Sequence, residues 1–361
     1  MRAAYLLDPA AQTPQRLAAL AGAGLDTVVT KAAGVTPEFA AAARAHGLRV
    51  IGSVPCFRAG AGLLADQDLA DVRPADLRPV DADGRPWQRT EWYEGAVPTH
   101  HGYNRALVRH CAELAASPDL DGLVLDFLRW PLHWELELRP GARPREGSYD
   151  PGTLADFEHR TGLRLPDRTS APDAARWIDR HHRAAWHDYR VAVITDLATA
   201  VRDAVRAARP GLWTGAFVVP APEGLRRELV GQDTTALGGL FDALLVMSYH
   251  AILHRSPAFP AEAAAEVRRH TGGRVVPMVQ VTADPAYARG ADWGPPIGAA
   301  GYAEALRGGV RAGRGEFCLF PGDALDEELL RLTRHGAAAG EHPARSGEAR
   351  PERSEREGND E

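Results

Sequence analysis

Through roughly the first 325 residues, short apolar runs rich in valine, leucine and isoleucine alternate with longer alanine-rich segments in which apolar residues recur every three or four positions. The short runs predict eight strands, over residues 3–8, 25–31, 48–55, 120–128, 212–219, 241–249, 274–282 and 315–320. Their near-continuous hydrophobicity is that of strands covered on both faces, as in a parallel sheet. The segments of helical period predict helices over 13–23, 36–46, 104–116, 174–208, 224–229, 260–270, 298–312 and 326–335. "TPQR" and "TPEF" put Thr13 and Thr36 at N-caps with proline at the first helical position, and Asn104 is the cap expected for the third helix. Gly24, Gly47 and Gly313 stand where helices end and a left-handed residue is wanted. Strands each followed by a helix predict a single α/β domain, a (β/α)8 barrel over residues 1–340. Two connections are too long for simple turns, residues 56–103 after the third strand and 131–172 after the fourth. Loops of that length are usually functional, and both leave the C-terminal ends of strands, where barrel active sites are built.

The end of the chain departs from this pattern. Residues 341–361 contain no large aliphatic or aromatic side chain, and such a segment cannot bury enough surface to offset its ordering entropy. A disordered charged tail is expected. With seven acids against four arginines it carries half of the formal net charge of −6. The folded part is therefore near neutral, which argues against a general nucleic-acid binder. The three cysteines, Cys56, Cys111 and Cys318, are odd in number and far apart, which suits free thiols in a reducing compartment. The N-terminal residues run straight into a strand and no window approaches a membrane span, so a cytoplasmic protein without a membrane partner is expected. No Walker loop, dinucleotide fingerprint or metal-ligating histidine pattern is present, so no cofactor and no metal are expected. Oligomeric state leaves no mark in the pattern.

One strand carries a carboxylate within its apolar run: "DGLVLDFLRWP", residues 121–131. In a barrel Asp126 falls at the C-terminal end of the fourth strand and can point into the mouth, a position that is catalytic more often than structural. The structural alternative is an internal ion pair with Arg129. Asp121, beside Gly122 at the strand entrance, suits a turn or cap.

"LDGLVLDFLRWP", with "FEHRTG" (157–162), "WHDYRVAVITDLATAVRDAVRAARPG" (186–211), "GQD" (231–233) and "FDALLVMSYH" (241–250), resembles the barrels of bacterial hypothetical glycosyl hydrolases, in order over most of residues 3–325. The resemblance implies a carbohydrate substrate, a glycoside or sugar polymer. A comparison with chitinase-like barrels is less close: Asp121, Gly122 and Asp126 match their fourth-strand motif, but the general-acid glutamate falls on Leu128 and the last aspartate of the sixth-strand motif on His250. Chitinase chemistry is not carried over.

Glycoside hydrolysis normally uses two carboxyl groups flanking the scissile bond. Asp126 is one candidate, as nucleophile or as acid. Its partner should come from a neighbouring mouth loop: Glu94, Glu135 or Glu223, of which Glu94 and Glu223 are favoured. Trp87, Trp92, Tyr93, Trp130, Trp134, Tyr249 and Trp293 fall in mouth loops, where flat rings stack on sugar C–H faces. Arg129, His250 and Gln280 could hydrogen-bond hydroxyls. Lys31, the only lysine in the chain, ends the second strand. It is a candidate substrate contact, and it opens a rival reading, a Schiff-base aldolase or lyase. A non-catalytic carbohydrate-binding barrel is a third class.

Overall fold

Every one of the eight apolar runs forms a strand. In the computed structural model, which describes residues 1–58, 72–90, 93–288 and 290–339, they are β1 (Arg2–Tyr5), β2 (Thr27–Lys31), β3 (Arg49–Pro55), β4 (Gly122–Asp126), β5 (Trp213–Val218), β6 (Ala243–Val246), β7 (Arg274–Gln280) and β8 (Phe317–Phe320). Each pairs in parallel with the next and β8 returns to β1, closing the (β/α)8 barrel. The helices are α1 (Pro14–Gly22), α2 (Pro37–Ala45), α3 (His101–Ala116), α4 (Trp134–Glu137), α5 (Pro151–Thr161), α6 (Ala171–His181), α7 (Arg183–Ala208), α8 (Glu223–Val230), α9 (Thr234–Leu240), α10 (Phe259–His270), α11 (Pro285–Ala288), α12 (Ala299–Ala312) and α13 (Glu327–Ala339). Strand interiors are buried on both faces, so the core runs from the barrel lumen into the layer between strands and helices. The expected tail, 341–361, lies outside the described residues. Among the described residues no helix is long and apolar enough to cross a membrane.

The local chemistry follows expectation at most helix ends. Thr13 and Thr36 accept from the backbone N–H of Arg16 and Phe39, and Gly24 and Gly47 adopt positive φ. Three expectations are corrected. The cap of α3 is His100, whose Nδ1 accepts from Tyr103 N at 3.2 Å, while the Asn104 amide donates to Pro98 O at 2.8 Å. The expected helix 174–208 is two helices, because the backbone leaves helical geometry at His182 (φ −144°, ψ 28°). Gly313 stays right-handed, and the turn after α12 places positive φ on Arg314 and Gly315 instead.

The motif "DGLVLD" divides into two functions. At the strand entrance Asp121 accepts from Val50 N at 2.8 Å and faces Arg44 at 3.4 Å, tying β4 to β3 and α2. Gly122 is demanded by close approach: a Cβ there would lie 2.7 Å from both the Trp213 carbonyl oxygen and Ile51 Cδ1. Five residues of strand then carry the chain across the barrel and deliver Asp126 to the mouth, in register with Pro55 of β3.

Candidate active site

Asp126 ends β4, and the chain turns sharply at the next residue. Phe127 has φ +53°, a left-handed conformation that is an outlier for a bulky aromatic residue. The turn is held from several sides. Phe127 N donates to Asp126 Oδ1 at 2.8 Å, Arg129 N donates to Phe127 O at 2.8 Å, and the Phe127 ring stacks on Tyr93 at 6.0 Å. Arg129 is buried beneath the turn, its guanidinium 5.2 Å from the Phe127 ring centre, with Nη1 donating to Leu132 O at 2.7 Å. Burial pushes the Asp126 carboxyl up to about 6, against the opposing pull of the Arg129 charge, the Phe127 N–H and the Arg58 charge.

Asp126 faces a cavity of about 340 Å³ at the C-terminal mouth of the barrel. Its wall carries a second carboxylate, Glu135, from the first turn of α4. Both acids act on the phenol of Tyr249. Burial, foremost, and then the Cys318, Asp126, Tyr5 and Glu135 charges raise its pKa well above the ordinary value, so its hydroxyl stays protonated. Tyr5, its pKa raised by burial and by Asp126, donates to Ser53 Oγ at 3.1 Å on the same floor. Aromatic rings build the remaining walls: Tyr249 stacks on Phe320 at 4.4 Å and packs on Trp134 at 5.7 Å, and Trp293 packs on Phe320 at 5.4 Å. Lys31, Arg58 and Arg129 bring three cations to the lining. The size falls at the lower end of small-ligand pockets, and apolar rings with a few convergent polar groups are what such pockets offer.

One arginine laces the mouth loops together. Arg139, after α4, donates through Nε to Ile252 O at 2.8 Å and through Nη2 to Asp292 O at 2.7 Å, and it pairs with the Asp292 carboxylate at 2.5 Å. The loops following β4, β6 and β7 are thereby joined beside Trp293.

Of the residues singled out from sequence, Asp126, Glu135, Lys31, Arg129, Trp134, Tyr249 and Trp293 line the cavity. Glu94, Glu223, Trp130, His250 and Gln280 do not, and Trp92 lies outside the described residues. Glu223 begins α8 and is held by the Arg226 guanidinium and by Thr234, whose backbone N–H donates to it at 3.0 Å. Burial works against its ionised form, but the hydroxyl of Thr234 and the charge of Arg226 outweigh it and keep the pKa below the usual range. Glu94 is half-buried, and the residue that its loop turns inward is Tyr93, whose Oη accepts from Leu132 N at 3.1 Å. Trp130 is fully buried, its indole donating to Arg190 O at 2.9 Å. Gln280 is saturated by the backbone: Oε1 accepts from Ile252 N, and Nε2 donates to Thr282 O and Trp293 O. His250 is buried, which pushes its pKa down to about 4.

Sequence reasoning passed over Tyr5, Ser53, Arg58 and Phe127 as site residues. Tyr5 and Ser53 sit near the ends of β1 and β3, where position alone could have flagged them. Nothing local distinguishes Phe127 from a strand phenylalanine, because its role follows from its backbone conformation.

No protein-family model matches the chain, and no curated protein matches it. Among solved structures it is similar to the PgaB (BpsB) glycoside hydrolase domain from Bordetella bronchiseptica, at 15% identity over 92% of this chain and 97% of that one, with a TM-score of 0.64. It is also similar to a β-galactosidase from the psychrophilic Marinomonas ef1, at 13% identity and a TM-score of 0.64, covering 94% of this chain and 59% of that one. An α-L-fucosidase isoenzyme from Paenibacillus thiaminolyticus matches at 14% identity and a TM-score of 0.53, over 94% of this chain and 49% of that one. The chain thus spans nearly all of the first neighbour but only half to three fifths of the other two. At these identities the likeness establishes a shared barrel architecture.

Proposed function

We propose that this barrel is a glycoside hydrolase in which Asp126 is the proton donor and Glu135 its carboxylate partner. The observation that carries the reading is the pair itself: two carboxyl groups open onto one aromatic-walled cavity at the catalytic end of the barrel, and burial holds one of them near pH 6. A carboxyl kept protonated by an apolar setting can give its proton to the glycosidic oxygen. Asp126 Oδ1 is engaged by Phe127 N, which leaves Oδ2 to carry that proton. Glu135 supplies the negative charge that an oxocarbenium-like transition state needs at the sugar. Tyr249, protonated under the influence of both carboxylates and donating to Met278 Sδ at 3.6 Å, offers its ring as part of the wall. The shared architecture with glycoside hydrolase domains supports a carbohydrate substrate.

The test is reducing-end release from a panel of polysaccharides and aryl glycosides. Wild type should cleave at least one. Its kcat/KM should fall as pH rises through about 6, as the donor loses its proton. Asp126→Asn should lose about 10²–10⁴-fold on substrates with poor leaving groups, and much less on dinitrophenyl glycosides, which leave without a proton. Glu135→Gln should lose activity on both. An activity that rises through pH 6 would reverse the two roles. Failure to cleave anything, with a borohydride-trapped carbonyl adduct on Lys31, would replace the reading by a Schiff-base lyase.

A further inference from the structure

The cavity changes character around the barrel mouth. Both carboxyl groups come from the β4 side, Asp126 from the strand end and Glu135 from α4 in the connection that follows. Across the mouth, from β6 round to β1, the lining is apolar: Met247, Ile252, Trp293 and Phe320, with the rings of Tyr5 and Tyr249. The phenols of those two tyrosines are spent on the protein, since Tyr249 Oη donates to Met278 Sδ at 3.6 Å and Tyr5 Oη to Ser53 Oγ at 3.1 Å. They give the cavity ring faces. Among the described side chains on this side, the hydroxyl of Tyr287 and the indole N–H of Trp293 remain as polar tips. A sugar ring lying here would bring several hydroxyls to two such groups, and each hydroxyl buried without a partner is penalised. An apolar ring meets no such penalty. Volume sets its size: an apolar cavity of about 150 Å³ holds one benzene ring, and this cavity, at about 340 Å³, has room for one such ring and one pyranose.

We propose that the substrate is a glycoside with an aryl aglycone of one ring, which lies on the β6–β1 side against Trp293 and Phe320 while its sugar sits toward Asp126 and Glu135. The inference rests on the hydrolase reading for the fate of the glycosidic bond, but not for binding. The stacked and packed rings of Tyr249, Phe320 and Trp293, with centres 4.4 and 5.4 Å apart in succession, form one continuous aromatic wall. An aryl group packed on that wall gains area burial and ring contact together. The opposed polar and apolar sides also fix which way round the ligand enters, because reversing it would set hydroxyls on the aromatic wall and the aryl ring on the carboxyl groups.

The experiment is calorimetric titration of the full chain with phenyl and methyl 1-thioglycosides of glucose, galactose and mannose, in both anomers, which resist hydrolysis. For at least one sugar the phenyl ligand should bind about 10–100-fold tighter than the methyl. That increment should carry a more negative heat-capacity change and respond little to salt. Trp293→Ala, and Phe320→Leu, which keeps the strand end apolar, should each cut the phenyl-over-methyl ratio by about threefold or more in a chain whose melting shows it folded. Phenyl ligands binding no tighter than methyl ones, no binding by either, or a ratio unmoved by both substitutions would overturn the proposal. A thio-linked disaccharide that matched the phenyl ligand would give the aromatic side to a second sugar and overturn it as well. Binding is read without turnover. A phenyl preference in a chain that cleaves nothing would therefore sink the hydrolase reading alone, and cleavage of oligosaccharides without that preference would sink this one alone.

Discussion

Asp126 is harder to ionise in the folded chain than in the unfolded one, because burial raises its carboxyl to about 6 from an ordinary value near 4. The sign of its stability effect follows. Below the ordinary value both states hold the proton and the group is neutral to folding. Between that value and about 6 only the folded state holds it, and above about 6 the fold carries a buried carboxylate at a cost of roughly 1–3 kcal/mol. Asp126→Asn keeps the shape and an oxygen to accept from Phe127 N. Its melting temperature should exceed that of wild type by about 2–6 °C at pH 8, and the advantage should shrink steadily as pH is lowered toward 4. Thermal denaturation followed by circular dichroism at both pH values checks this. A difference that ignored pH would mean that the substitution acts through packing rather than charge. Stability gained where activity is lost is the pattern expected of a site that keeps a strained, desolvated group for chemistry.

At the scale of elements, what could be seen in the sequence and what could not have separate causes. Strand runs, threonine caps and the terminal glycines of α1 and α2 are local: each follows from side-chain burial or a single hydrogen bond, and each was legible. So was the delivery of Asp126 to the mouth, since strand length and direction suffice for it. The short α4 and the α5 helix, inside the long connection after β4, carry too little periodicity to announce themselves. The choice among loop acids is less legible still. Glu94, Glu135 and Glu223 look alike as letters, and what sorts them is tertiary anchoring. Glu223 is consumed by Arg226, three residues on, and by Thr234, a pairing that spacing on α8 could have suggested. Glu135 faces the cavity because Arg139, four residues later, fastens its loop to those after β6 and β7. Arg139→Ala should therefore loosen the wall that carries Trp293. We expect KM for the best substrate to rise about tenfold, the equivalent of one charge-assisted hydrogen bond, with kcat changed far less. Steady-state kinetics separate the two, and an equal fall in kcat would show that the lacing acts on the transition state rather than on binding.

At the scale of the whole molecule, a barrel works only if its last strand finds its first, and here the seam is stitched by the segment after β8. Asp323 is nearly buried, and its carboxylate accepts from the backbone N–H of Leu7 at 2.7 Å and of Asp8 at 3.3 Å, at the exit of β1. Arg16 of α1 closes the same seam from outside, donating to Leu325 O at 2.5 Å and Asp323 O at 2.9 Å. These contacts, between residues more than 300 positions apart in sequence, reinforce the β1–β8 ladder, and sequence reading could not find them because strand and helix periodicity carries no information about which distant residues pair. The seam also sets the site, since Tyr5 of β1 and Phe320 of β8 form adjoining parts of the cavity floor. Asp323→Ala leaves two backbone donors without their acceptor and should cost about 2–4 kcal/mol, whereas Asp323→Asn, which keeps one oxygen in place, should cost about half as much. Urea unfolding of the two variants measures the difference. If closure matters to the site as argued, Asp323→Ala should also weaken sugar binding under conditions where it remains fully folded, although it touches no ligand. Binding unchanged in that folded variant would confine the seam to stability.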